Sequence, residues 1–169
     1  MTNEERGDPV TASTRELEST ARAILSGGRG ILAADESTGT MSKRLEGDGI
    51  ESTAETRRRF RELMFSTEGI EKWIGGVILY DETIRQSMSD GTPIPQYLDE
   101  RGIVPGIKVD TGAKPLAGSP DEKVTEGLDG LRERLAQYRE MGARFTKWRT
   151  VITIGEGLPT RYCLEVNAH

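Results

Sequence analysis

The chain has 169 residues, with 23 Lys and Arg against 28 Asp and Glu, and a formal net charge of −5 at pH 7. That balance argues against a nucleic-acid partner, and no apolar run is long enough for a membrane-spanning helix. Cys163 is the only cysteine and His169 the only histidine. An internal disulfide is therefore excluded and a reducing compartment, the cytoplasm, is expected; Ser-His-Asp, Cys-His and histidine-rich metal chemistry are set aside.

Residues 1–12 read as a polar N-terminal arm without the apolar stretch of a signal peptide. Ser13-Thr14-Arg15-Glu16 has the form of a capping box. Leu17, Ala21, Ile24 and Leu25 then share one helical face, which closes at Gly27-Gly28. Gly30 to Asp35 is a short apolar run that suits a buried parallel strand, and Thr40 to Leu45 adds a helical turn. A second box, Ser52-Thr53-Ala54-Glu55, opens a helix with Phe60, Leu63 and Met64 inside and the run Arg57-Arg58-Arg59, with Arg61, on a solvated face. Gly75 to Tyr80 is the second strand. A turn at Asp90-Gly91-Thr92-Pro93 and a short helix from Gln96 to Arg101 lead to the third strand, Ile103 to Asp110, which Pro105 weakens in its first half. Residues 111–124 read as a long loop. Thr125 then precedes a helix carrying Leu128, Leu131, Leu135 and Tyr138, with Gly142 at its end. Phe145 to Ile152 is the fourth strand, and the last nine residues open a helix. Strands alternating with helices imply an α/β fold with a parallel sheet.

Side chains alternate along a strand. Ile31, Ala33 and Asp35 share a face, as do Lys108 and Asp110, and Phe145, Lys147 and Arg149. Helices cover the outer face of a parallel sheet, so these charges are expected at the C-terminal rim of the inner face, where α/β folds gather their chemistry. Cationic side chains there can hold phosphate. A lysine whose pKa is depressed by neighbouring cations and desolvation can serve as base or amine nucleophile. An aspartate can move a proton on a sugar hydroxyl. Two plainer readings stand beside these: Asp35 or Ser37 caps the next helix, or the charges are structural ion pairs. Gly27-Gly28-Arg29-Gly30 precedes a strand, so it is not a dinucleotide fingerprint.

Six blocks carry a resemblance. They are Gly-Ile-Leu-Ala-Ala-Asp-Glu-Ser-Thr-Gly (30–39), Gly-Gly-Val-Ile-Leu (75–79), Gly-Ile-Lys-Val-Asp (106–110), Pro-Leu-Ala-Gly (115–118), Gly-Leu-Asp-Gly-Leu (127–131) and Lys-Trp-Arg (147–149). In order and spacing they resemble class I fructose-bisphosphate aldolases, from about Leu17 onward. The resemblance implies a (β/α)₈ TIM barrel of which only about the first four β/α units are present, with residues 13–169 as its N-terminal half. It implies a metal-independent, cofactor-free lyase of glycolysis and gluconeogenesis. Through a lysine Schiff base, such an enzyme cleaves fructose 1,6-bisphosphate reversibly to dihydroxyacetone phosphate and glyceraldehyde 3-phosphate. The expected partners are a phosphorylated sugar and further copies of the chain, since the family is usually tetrameric.

Carried over by position, Asp35 matches the aspartate of proton transfer and Schiff-base activation. Lys147 matches the lysine that stabilises charge and assists carbinolamine chemistry. Lys108 matches a lysine near the reacting carbon. Ser37, Thr40, Arg44 and Arg149 match positions lining the phosphate and sugar site, and Arg57 matches a substrate-binding arginine. The imine-forming lysine, the acid/base glutamates and the grip on the C1 phosphate map beyond His169. The chain thus reads as a truncated aldolase, with a non-catalytic fragment or docking module as the alternative.

Overall fold

The computed structural model describes residues 12–169, with the side chains of Ala12 and Ser13 excepted. The polar arm, apart from Ala12, and the Ser13 side chain of the first capping box therefore lie outside the described residues. The chain runs α1 (Ala12–Leu25), β1 (Gly30–Ala33), α2 (Thr38–Gly47), α3 (Ala54–Phe65), β2 (Ile74–Leu79), α4 (Asp81–Ile84) and α5 (Ile94–Asp99). It continues through β3 (Val104–Lys108), β4 (Gly112–Leu116), β5 (Ser119–Glu126), α6 (Leu131–Glu140), β6 (Phe145–Lys147) and α7 (Arg161–Ala168). Four strands pair in parallel in the order β1-β2-β3-β6, while β4 and β5 form a separate antiparallel hairpin. No described helix is long and apolar enough to cross a membrane.

The sheet has two unlike faces. On the outer one Val77, Leu79 and Ile107, with Ala34 and Val109 just past their strands, are buried against Phe65 of α3, Leu98 of α5 and Tyr138 of α6. Each large apolar side chain so buried contributes about 1.5–3 kcal/mol. The inner face is shaped by glycines. Phe145 lays its ring over Gly106 and Gly76; a Cβ on Gly106 would sit 2.3 Å from the ring, and one on Gly76 would sit 3.3 Å away. Gly30 pairs with Ile74 and Ile31 with Gly76, which leaves Gly75 as the extra residue of a bulge. A Cβ on Gly75 would lie 1.9 Å from the Ile24 carbonyl oxygen. This close approach seats α1 against β2 through Ile24.

Several expectations are corrected. Of the α1 face only Ile24 is buried, where the helix meets the bulge, and Leu17 and Leu25 are exposed. The cap of α3 is not Ser52 with Glu55. Thr56 N donates to Thr53 Oγ1 at 3.1 Å and Thr53 N to Thr56 Oγ1 at 2.8 Å. Glu55 instead takes Arg58 and Arg59. The buried face of α3 is Arg57, Arg61 and Phe65, while Leu63 is exposed. The expected loop at 111–124 holds the β4–β5 hairpin, Thr125 is a strand residue, and α6 begins after Gly130 in a left-handed conformation. The fourth strand ends at Lys147. Pro105 is accommodated because its carbonyl faces the β6 side, accepting from Arg144 N at 2.8 Å. Its nitrogen faces the same way, so the ladder to β2 loses no donor.

The hairpin is bound to α7 by polar contacts. Glu122, 1% exposed, accepts from Thr160 N at 2.7 Å and Thr160 Oγ1 at 2.6 Å. Asn167 Nδ2 donates to the Lys123 carbonyl at 2.9 Å, and Asn167 Oδ1 accepts from Thr125 N at 3.1 Å.

Candidate active site

The C-terminal ends of β1, β3 and β6, with the hairpin at one side, enclose a cleft of about 460 Å³. Asp35 follows β1 and is 9% exposed. Lys147 closes β6, and its Nζ donates to Asp35 Oδ2 at 2.6 Å. A charge-assisted contact of that length satisfies a carboxylate that burial would otherwise penalise. One strand inward, Lys108 Nζ lies 3.7 Å from Asp110 Oδ1 and over the Tyr80 ring, 6.0 Å from its centre. The other oxygen of Asp110 accepts from Arg149 N at 3.3 Å. The Arg149 carbonyl in turn accepts from Thr125 Oγ1 of the hairpin at 2.9 Å.

On the far wall Ser37 caps α2, its Oγ accepting from Thr40 N at 3.4 Å and lying 3.1 Å from Thr40 Oγ1. The capping reading of Ser37 and its place in the cleft are thus both true, since a helix N-terminus turned toward a cleft offers donors to an anion. Arg44 reaches Glu36 Oε1 at 2.5 Å. Asp35, Ser37, Thr40, Arg44, Lys108, Lys147 and Arg149 all line the one cleft.

Arg57 is not among its lining residues. Its Nε donates to Glu82 Oε2 at 2.9 Å and its Nη1 to Ser52 Oγ at 3.1 Å. The hydrogen bonds between them hold the Glu82 carboxyl below its usual range and raise Arg57. The sequence expectation also missed Arg61, Glu36 and Lys123. Arg61 is fully buried, and burial pushes its guanidinium down. Its Nη2 donates to the Glu36 carbonyl at 2.7 Å and its Nε to the Ala34 carbonyl at 3.3 Å. The backbone on either side of Asp35 is therefore held by one side chain. The four-residue spacing Arg57, Arg61 and Phe65 is the signal that places Arg61 on the buried face. Glu36 and Lys123 carry no such periodicity.

A parallel βα sheet whose C-terminal rim joins lysines to carboxylates defines half of a barrel-type α/β protein with a polar, cationic site. The class I fructose-bisphosphate aldolase family model matches residues 16–169, and the chain belongs to that family. It is 56% identical to a probable class 1 fructose-bisphosphate aldolase of Xanthomonas campestris pv. campestris, over 93% of this chain and 47% of the relative. It is 51% identical to fructose-bisphosphate aldolase C of Carassius auratus, over 95% of this chain and 44% of that one. Among solved structures it superposes on fructose-bisphosphate aldolase from Plasmodium falciparum, in a complex with TRAP and a small-molecule inhibitor. The TM-score is 0.86 and the identity 45%, over 90% of this chain and 44% of that chain. The chain spans less than half the length of these relatives.

Proposed function

We propose that this chain supplies the N-terminal part of a class I aldolase site, which cleaves fructose 1,6-bisphosphate reversibly to dihydroxyacetone phosphate and glyceraldehyde 3-phosphate through a lysine Schiff base. The observation that carries the reading is the 2.6 Å contact of Lys147 with Asp35 at the mouth of a cationic cleft. In this reading Asp35 accepts and returns the proton of the Schiff-base steps. The Lys147 ammonium stabilises charge as it develops on the reacting centre. Lys108 reaches the hydroxyls near the reacting carbon, and Ser37, Thr40, Arg44 and Arg149 hold the sugar and its phosphate. Arg57 would have to leave Glu82 to reach the substrate, and the reading does not draw on it. Residues 13–169 act as one unit. Family membership supports a homotetrameric assembly, and the free thiol of Cys163 supports the cytoplasm.

A fusion of this chain to the C-terminal remainder of the Xanthomonas campestris relative tests the reading. The fusion is expected to cleave fructose 1,6-bisphosphate. Lys147→Ala should lower its turnover at least about a hundredfold. Arg59→Ala, at a side chain 73% exposed, should stay within about twofold. A folded fusion that does not cleave, or equal losses from the two substitutions, overturns it.

A further inference from the structure

Five cations line the cleft, and three of them meet carboxylates there: Lys147 meets Asp35, Lys108 meets Asp110 and Arg44 meets Glu36. The remaining two, Lys123 and Arg149, have no ion-pair partner among the described residues, and no further carboxylate lines the cleft. The rim therefore presents a surplus of two positive charges to its interior.

The direction of Lys123 follows from its strand. Glu122 is buried against α7 by both hydrogen bonds from Thr160, so the next side chain along β5 turns the opposite way, into the cleft. Its backbone is fixed as well. The Lys123 carbonyl accepts from Asn167 Nδ2, and the strand residue Thr125 bonds both Asn167 and the Arg149 carbonyl. The hairpin thus holds Lys123 and Arg149 in one frame while leaving both head groups unengaged.

We propose that Lys123 is a specificity-determining residue of this cleft. Together with Arg149 it recognises the dianionic phosphate of a phosphorylated sugar. The inference rests on the aldolase reading for the identity of the sugar, and on geometry alone for the phosphate. A phosphate monoester carries about −1.5 to −2 charge at pH 7, which matches the surplus. The Arg149 guanidinium offers a planar fork and the Lys123 ammonium a point charge, a pairing suited to an anion with three exposed oxygens. A neutral sugar gains nothing from either.

The test uses the 169-residue chain itself. Calorimetric titrations at low salt are made with fructose 1,6-bisphosphate, inorganic phosphate and fructose. Lys123→Gln should weaken the bisphosphate and inorganic phosphate about tenfold and leave fructose unchanged. Lys114→Gln, on the neighbouring strand β4 and outside the cleft lining, should leave all three unchanged. Circular dichroism verifies that both variants fold. Unchanged phosphate affinity in Lys123→Gln, an equal loss in Lys114→Gln, or no binding by the unsubstituted chain overturns the proposal. In the fusion enzyme Lys123→Gln should raise KM for the bisphosphate by about the same factor. A fusion that does not cleave while the binding difference persists refutes the aldolase reading alone. Cleavage with an unchanged KM in Lys123→Gln refutes the role of Lys123 alone.

Discussion

Gly106→Ala puts a methyl carbon 2.3 Å from Cζ of Phe145 and 2.5 Å from both Cε atoms. Carbon atoms in good contact sit about 3.5–4.0 Å apart, so the ring must retreat by about 1.2 Å or more. The ring lies flat across two strands, and retreat lifts it from Gly76 as well. Forcing a methyl group into such a contact costs about 1–3 kcal/mol. Phe145→Leu alone, which keeps an apolar side chain of smaller reach, should cost about 1–1.5 kcal/mol. In the double variant leucine leaves room for the new methyl. Its cost should fall below the sum of the singles by at least about 1 kcal/mol. Urea unfolding followed by far-ultraviolet circular dichroism supplies all four stabilities of the cycle. Additivity within about 0.5 kcal/mol would refute the claim that the Phe145 ring is what excludes a side chain at Gly106. The same contact bears on the site. Phe145 and Lys147 stand on one face of β6, so a displaced ring also shifts the strand that presents Lys147 to Asp35.

Acid should loosen the fold through named carboxylates. Glu82 is held below the ordinary 4.5 by its hydrogen bonds from Arg57, and Glu62 by those from Ser89. Folding favours the ionised form of both, so their contribution is complete above about pH 4.5 and is lost as pH falls through the lowered folded-state values. Urea midpoints at pH 7 and pH 4 should differ less in Glu82→Gln than in the unsubstituted chain, and an equal difference would exclude Glu82 as a contributor. Cys163 is fully buried and burial raises its thiol, so a disulfide reagent should leave it unmodified in buffer and react stoichiometrically in urea. Fast reaction in buffer would mean that α7 does not hold the hairpin. Borohydride added with dihydroxyacetone phosphate should leave the mass of the chain unchanged. An adduct on Lys108 or Lys147 would reassign the imine lysine of the proposed mechanism.

The parts of this fold that obey simple periodicity were legible in the sequence. Gly75 to Tyr80 is apolar without interruption because β2 is covered by helices on its outer side and crossed by the Phe145 ring on the other. The convergence of Asp35, Lys108 and Lys147 followed from strand alternation and a single assumption about which face the helices cover. What failed had physical causes of its own. The two buried residues of β5, Glu122 and Thr125, are polar and lie on opposite faces of the strand, so the hairpin shows no apolar alternation and reads as a loop. The inner face of α3 carries Arg57 and Arg61 because the carbonyl ends beside Asp35 and the carboxylate of Glu82 need donors more than the core needs aliphatics. Leu17 and Leu25 satisfy a helical pattern, yet α1 buries only Ile24, whose backbone meets the bulge at Gly75. In each case a long-range hydrogen bond or a backbone contact outranked the local pattern.

The anchoring of the hairpin has a consequence for synthesis. Glu122 leaves the ribosome 38 residues ahead of Thr160, whose backbone N–H and hydroxyl both donate to it in the folded chain. At about 5–20 residues per second, this carboxylate waits about 2–8 s of translation before its partner is made. Until then the strand bearing Lys123 lacks the hydrogen bonds that tie it to α7. Slow codons between positions 126 and 160 would lengthen that interval. The hairpin wall of the cleft is in this sense the last part of the rim to take shape.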